Sequence, residues 1–284
     1  MSTDIGPESP GYSSVDSDLI FNVEFISSHV FRQILEFLNP TMDTLPIFFG
    51  KSQIHMLCKN GSENFFFQGV FDTHCFTDYF LAPMITKEDP DAVHIINVNI
   101  VKLLRSVKEL PKRGTFRISQ RQSDLDNIIL SVVDSPTIPF RLLHLRDEDT
   151  NMGFTEAKPI ASDAPNKVVP LSKFAHVAMS CGKQANRSSY IRCYTKGVDI
   201  LGTSSDKGSS IYSPWGECDD SERLCEIKVG AEVMKSMAKL STLSTEGITR
   251  FYCGDPDYMR IEIPIVIGTL FIYICRAGSI KKKD

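Results

Sequence analysis

One order of elements is written twice into this chain, and it restricts the fold more than any single motif. The stretch 98–110, "VNIVKLLRSVKEL", has the three- and four-residue apolar spacing of an amphipathic helix. Three strand-like runs follow it: "GTFRISQR", "NIILSVVD" and "PFRLLHL". The stretch 228–240, "KVGAEVMKSMAKL", has the same spacing and precedes "ITRFYCG", "YMRIEIPIV" and "GTLFIYICR". The two blocks begin about 130 residues apart. Two further helical stretches, 27–38 and 171–183, each precede hairpin-like runs, "LPIFFGKSQIHML" and "SSYIRCYTKGVDILGTSS". Helices followed by runs of strands, rather than alternating with them, predict an α+β fold. The unit is duplicated, with two helices and antiparallel sheets per domain.

Composition places the boundaries. Residues 1–17 are rich in Pro, Gly, Ser and Asp and read as a flexible tail. A first domain spans 18–145 and a second 166–284, the latter ending in a short tail. Between them, 146–165 begins acidic and turns rich in Pro, Ala and Ser, as a surface connector does, yet it holds Met152 and Phe154. The N-terminal residues lack the basic start and apolar middle of a secretory signal, and no run approaches the ~18 apolar residues of a membrane span. An intracellular protein is expected. Its eight cysteines form no CxxC pair and no zinc-finger spacing, so they read as reduced core fillers with no metal or cofactor.

Charge is distributed unevenly. The whole chain carries −4, but the four helical segments together carry +6, which leaves −10 for the rest. At 100° per residue, Lys173, His176, Ser180 and Lys183 share one arc of the third helix, opposite Leu171, Phe174, Ala175 and Ala178. In the fourth segment Val229, Val233, Met237 and Leu240 form an apolar face, opposite Lys235 and Lys239 with Ala231 and Ala238 beside them. Lysine on any solvated helix is the plain reading. Helices lying side by side with their basic faces aligned would suit a phosphate backbone without base reading.

Catalytic signatures are missing. No GxSxG, P-loop or HExxH occurs, and the six histidines form no close helical pair. "FDTHCFTDYF" brings His74 beside Cys75, with Asp78 near. On a strand such neighbours point to opposite faces, which argues against an activated nucleophile. No enzyme is expected.

The duplicated order, the basic helix faces, "PLSKFAHVAMSCGKQA" and "MRIEIPIVIGTLFIYICRAGSI" together resemble the PCNA-type DNA sliding clamp over roughly residues 18–280. The resemblance implies a two-domain clamp fold assembling as a homotrimeric ring. Such a ring encircles double-stranded DNA without sequence preference and tethers a DNA polymerase and other proteins through short peptide motifs, with a clamp loader as a possible further partner and the need for one left open. It further implies that Arg32, Lys102, Arg105, Lys108, Lys173, His176, Lys183, Lys228, Lys235 and Lys239 face the hole. The implied partner groove uses Phe66, Met152, Phe154, Tyr258, Tyr273, Cys275 and Arg276, with core packing the competing reading for Phe66 and Tyr273. Lys59 and Asn64 stand where the family has apolar residues, so the partner motif is expected to differ.

Ring closure would pair "IPFRLLHL" (138–145), with Phe140 and Leu142, against "GSSIYSPWG" (208–216), with Ile211, Tyr212 and Trp215. Pro214 suggests that the second strand is short or bulged. Trp215 reads equally as an interface anchor or a loop residue. The divergence points to a clamp from a large DNA virus or to a distant paralogue, in the nucleus or at a cytoplasmic viral replication site. The alternatives are a subunit of a checkpoint-type heterotrimeric clamp, or a clamp-like viral transcription or processivity factor acting as a monomer or dimer.

Overall fold

The computed structural model describes residues 17–26, 28–60, 65–87, 89–111, 114–133, 141–144, 164–183, 188–203 and 211–276. The first half contains β1 (Leu19–Phe25), α1 (Ser28–Leu38), β2 (Thr44–Phe49), β3 (Gln53–Lys59), β4 (Phe65–Asp72) and β5 (Asp78–Leu81). The four-residue α2 (Pro83–Thr86), β6 (His94–Asn99), α3 (Ile100–Lys108), β7 (Phe116–Arg121), β8 (Asp124–Val132) and β9 (Arg141–His144) complete it. The second half contains β10 (Lys167–Pro170), α4 (Leu171–Gly182), β11 (Ser188–Tyr194), β12 (Lys196–Thr203) and β13 (Ile211–Glu217). It continues through β14 (Arg223–Val229), α5 (Ala231–Ala238), β15 (Ile248–Asp255), β16 (Tyr258–Ile265) and β17 (Gly268–Cys275). Among the described residues no helix is long and apolar enough to cross a membrane.

The duplication is visible strand by strand. One sheet has the order β5-β1-β7-β8-β9, and the second half repeats its last four positions as β10-β15-β16-β17. The series β4-β3-β2-β6 recurs as β13-β12-β11-β14. In the first half β5 is an addition, paired antiparallel to β1. The halves join through one pairing, β17 against β4, with register Gly268↔Phe71 to Ile274↔Phe65, which makes a continuous eight-stranded sheet. The turn into β17 needs glycine: Gly268 has φ +151°, and a Cβ there would overlap the carbonyl oxygen of Val70.

The two halves fill their cores differently. The first stacks phenylalanines: Phe21 on Phe49 at 4.0 Å, Phe25 on Phe116 at 4.7 Å, and Phe37 against Phe65 and Phe67. The second relies on Met234, Met237, Cys193, Cys225 and Cys253 around Ile191, Ile227 and Phe251. Thioethers and thiols adapt to irregular gaps where large rings would not fit.

Helix boundaries follow local chemistry. Helix α1 buries Phe31, Ile34, Leu35, Phe37 and Leu38 and stops before Pro40. The hydroxyl of Ser28, its first residue, donates to the Pro111 carbonyl at 2.7 Å. Asn99 caps α3 by accepting from the Lys102 N–H at 3.0 Å. The fourth helix starts later than its spacing suggested. Residues 223–229 alternate, with Cys225, Ile227 and Val229 buried and Leu224, Glu226 and Lys228 exposed, so they form a strand. Only after Gly230 does the chain turn helical, burying Met234, Met237 and Ala238.

Candidate nucleic-acid interface and outer surface

The four main helices form one layer in the order α3-α1-α5-α4. Helix α1 packs against α3, α4 packs against α5, and α1 meets α5 and the 3-10 turn Lys239–Thr242 at the junction of the halves. The α4–α5 contact is close because of Gly182, where a Cβ would lie 2.8 Å from the backbone nitrogen of Lys235.

The exposed faces of this layer are not uniformly basic. At the outer helices, Lys102 and Arg105 on α3 and Lys173, His176 and Lys183 at α4 are exposed, and none has a charged or hydrogen-bonding side-chain partner among the described residues. At the central seam the cations are engaged. Arg32 bonds Glu36 at 3.0 Å, and Lys108 reaches the same carboxylate at 3.6 Å. Burial opposes ionisation of Glu36, but the Arg32 hydrogen bond and the two positive charges win and hold its carboxyl below the usual range. Lys235 pairs with Glu232 at 2.7 Å. Lys239 donates to the Glu36 carbonyl at 2.9 Å, satisfying an acceptor left over at the end of α1. Gln33 also donates to the Thr242 hydroxyl across this junction.

Two residues expected on the basic face lie elsewhere. Lys228 is on β14, pointing away from the core side occupied by Cys225, Ile227 and Val229. Ala238 is buried, and Val233 is only half-buried, so the apolar face of α5 is rotated from the one its spacing suggested.

On the opposite side of the eight-stranded sheet lies an aromatic and cationic surface. Phe66 is half-buried and meets Tyr273 edge-on at 5.6 Å, while the Tyr273 hydroxyl reaches Gln68 at 3.4 Å. Arg260 stacks over Tyr252 at 4.1 Å and stands 5.7 Å from the Phe271 ring. Tyr258 is half-buried, Cys275 is buried, and Arg276 donates its backbone N–H to Asp257 at 2.7 Å. Lys59 pairs in register with Phe66. Met152, Phe154 and Asn64 lie outside the described residues.

Two sheet edges carry the strands expected at an assembly contact. One is β9, which includes Leu142; Phe140 lies outside the described residues. The other is β13, which runs unbroken through Pro214↔Asp199, neither short nor bulged, because an edge strand can leave the proline unpaired on its outer side. Trp215 belongs to this strand and not to a loop. It and Ile211 pack partly onto the core, while Tyr212 points outward with 53% of its surface exposed. Between α4 and β13 a cleft of about 350 Å³ is lined by Ser172, Lys173, His176, Val177, Ser213 and Trp215.

Proliferating cellular nuclear antigen from Entamoeba histolytica superposes with a TM-score of 0.70 at 14% identity, over 90% of this chain and 98% of that one. The PCNA2–PCNA3 complex from Sulfolobus tokodaii gives 0.68 at 13% identity, over 89% and 98%. This chain has the PCNA-type sliding-clamp fold. No family model matches its sequence, and no curated protein does. The two clamps come from cellular organisms, which lends no support to a viral source.

The sheet face opposite the helices includes residues that sequence reasoning passed over. Arg260, Tyr252 and Phe271 stand beside the expected Tyr273, and alternation in "YMRIEIPI" was the available signal. Met259, Ile261 and Ile263 point inward, which leaves Tyr258, Arg260 and Glu262 on the outside. In the outer face of the β11–β14 sheet, the fully buried Asp199 accepts from Arg192 at 2.8 and 2.9 Å and from the Tyr194 hydroxyl at 2.8 Å. The duplication gave no hint of this network.

Proposed function

We propose that this protein is a DNA sliding clamp, a ring that encircles duplex DNA and tethers a polymerase and other proteins without doing chemistry itself. The observation that carries the reading is the repeated strand order. Within the chain, the last strand of one sheet series (β17) pairs with the first strand of the other (β4). Their counterparts, β9 and β13, are each at a sheet edge among the described residues. A second copy could therefore repeat, between molecules, the contact already made inside one. Such a head-to-tail contact closes into a ring when its rotation closes.

In this arrangement α3 of one subunit adjoins α4 of the next. The cations Lys102, Arg105, Lys173, His176 and Lys183, unpartnered among the described residues, then gather at the subunit seams and line the hole. Contacts to phosphate without base reading leave the ring free to slide. The aromatic surface around Phe66, Tyr273 and Arg260 would take the apolar anchors of partner peptides.

The resemblance favours three identical subunits, and the test is mass in solution. Light scattering at micromolar concentration should give about three times 31.8 kDa. A strict monomer across that range would remove self-closure. The second reading, a subunit of a mixed ring, draws on the likeness to a complex of two different PCNA chains. It would be favoured by a chain that is monomeric alone and forms a ring with a co-purifying clamp-like protein.

A further inference from the structure

The segment Phe71–Phe76 departs from its expected strand geometry in a way that creates a donor cluster. Strand β4 ends at Asp72, and Thr73–Cys75 forms a single 3-10 turn. Three residues per turn bring Asp72 and Cys75 to the same side, with the exposed His74 beside them. One carboxylate oxygen, one imidazole nitrogen and the Cys75 sulfur all lie within 4.8 Å of one another. We propose that Asp72, His74 and Cys75 form a zinc-binding site.

The donor set selects the metal class. Sulfur, nitrogen and oxygen together suit the borderline-soft zinc ion, whereas magnesium and calcium require oxygen ligands. Zinc bonds of about 2.0–2.3 Å in a tetrahedron place donors roughly 3.3–3.8 Å apart. The exposed His74 can close that gap by a change of rotamer, and a water completes the fourth position. Cys75 is half-buried against the core, so ions enter from the His74 side.

The surroundings hold the cluster in place. Gln53 donates to Asp72 Oδ1 at 3.1 Å, fixing the carboxylate and leaving Oδ2 for the ion. The Thr73 N–H and hydroxyl donate to the Ser52 carbonyl at 3.0 and 2.9 Å, which pins the turn to the β2–β3 connection. The Asp72 N–H donates to the Ile267 carbonyl at 3.3 Å, in the turn between β16 and β17. The site therefore sits where both halves meet at one end of the β17–β4 pairing, and a bound ion braces that junction.

The experiment titrates the metal-stripped full chain with cobalt(II), then with zinc. One equivalent of cobalt should produce a thiolate-to-cobalt charge-transfer band, and zinc should bleach it. Cys75→Ser should abolish the band. His74→Ala, at an exposed position, should lower cobalt affinity at least tenfold, and Gln53→Ala should lower it about 10- to 100-fold. Zinc should raise the thermal midpoint of the wild type and not that of Cys75→Ser. Absence of the band, or a band of unchanged affinity in both Cys75→Ser and His74→Ala, would overturn the assignment and place any bound cobalt on other thiols.

Discussion

Reversing the unpartnered cations tests whether the basic faces serve a nucleic acid. The variant is Lys102→Glu, Arg105→Glu, Lys173→Glu and Lys183→Glu. All four side chains are exposed and unpaired among the described residues, so each change should alter stability by no more than about 0.5 kcal/mol. Each phosphate contact contributes about 0.9 to the slope of log affinity against log salt. If each residue touches one phosphate, the variant loses about 3.6 units of slope per subunit. A fourfold rise in salt then costs the wild type roughly 150-fold more affinity than it costs the variant. The assay is fluorescence anisotropy on linear duplex DNA with a free end, over which a closed ring can thread, across a salt series, with mass and circular dichroism as folding checks. Lys235→Gln is the internal control: its ammonium is held by Glu232, so the change in slope should stay well short of the roughly 0.9 unit that losing one phosphate contact would cost. An unchanged slope in the folded quadruple variant would show these lysines to be an ordinary solvated surface.

Lys239→Met should cost about 1 kcal/mol, because it frees the Glu36 carbonyl at the end of α1; a thermal midpoint within 1 °C of wild type would refute the cap. Asp199→Ala strips Arg192 and Tyr194 of their shared buried acceptor and should cost about 3–5 kcal/mol, read by chemical denaturation. Glu36 has a lowered folded pKa, so the stability it contributes is fully present above its ordinary value of 4.5 and is lost as pH falls through the lower folded value. Arg32→Ala should move the Glu36 pKa, read from the pH titration of its carboxyl resonance by NMR, back toward that ordinary value and raise the pH at which the contribution disappears.

Much of the architecture was legible because hydrophobic periodicity is a local property. Each of the six strand runs after helices α3 and α5 became a strand, and the helical stretches at 27–38, 98–110 and 171–183 became α1, α3 and α4, the last with its anticipated face of Leu171, Phe174, Ala175 and Ala178 buried. The fourth stretch misled because its first two residues, Lys228 and Val229, continue the alternation of Cys225 and Ile227. A period of two and a period of 3.6 agree over so short an overlap. Sites were harder to read. That Lys235 and Lys239 are engaged, while Lys173 and Lys183 are not, depends on Glu232 three residues away and on a carbonyl more than 200 positions distant. Spacing within a helix carries no information about the second of these. The Asp72, His74 and Cys75 cluster was hidden by reading a 3-10 turn as strand, since the two geometries send neighbouring side chains in different directions.

The sulfur in the core gives the molecule built-in clocks. Six of its eight thiols are buried, five of them in the second half, and only Cys75 and Cys218 are partly accessible. Burial pushes the Cys58 thiol up, and hydrogen bonding to Cys193 and Cys253 together with burial does the same for Cys225. Neither can react with an alkylating reagent until the structure around it opens. Cys58 reports on the Phe-packed half and Cys225 on the half packed with Met and Cys. Equal labelling rates at the two would mean that the shared eight-stranded sheet makes the halves breathe as one, and unequal rates would separate them into independently opening bodies.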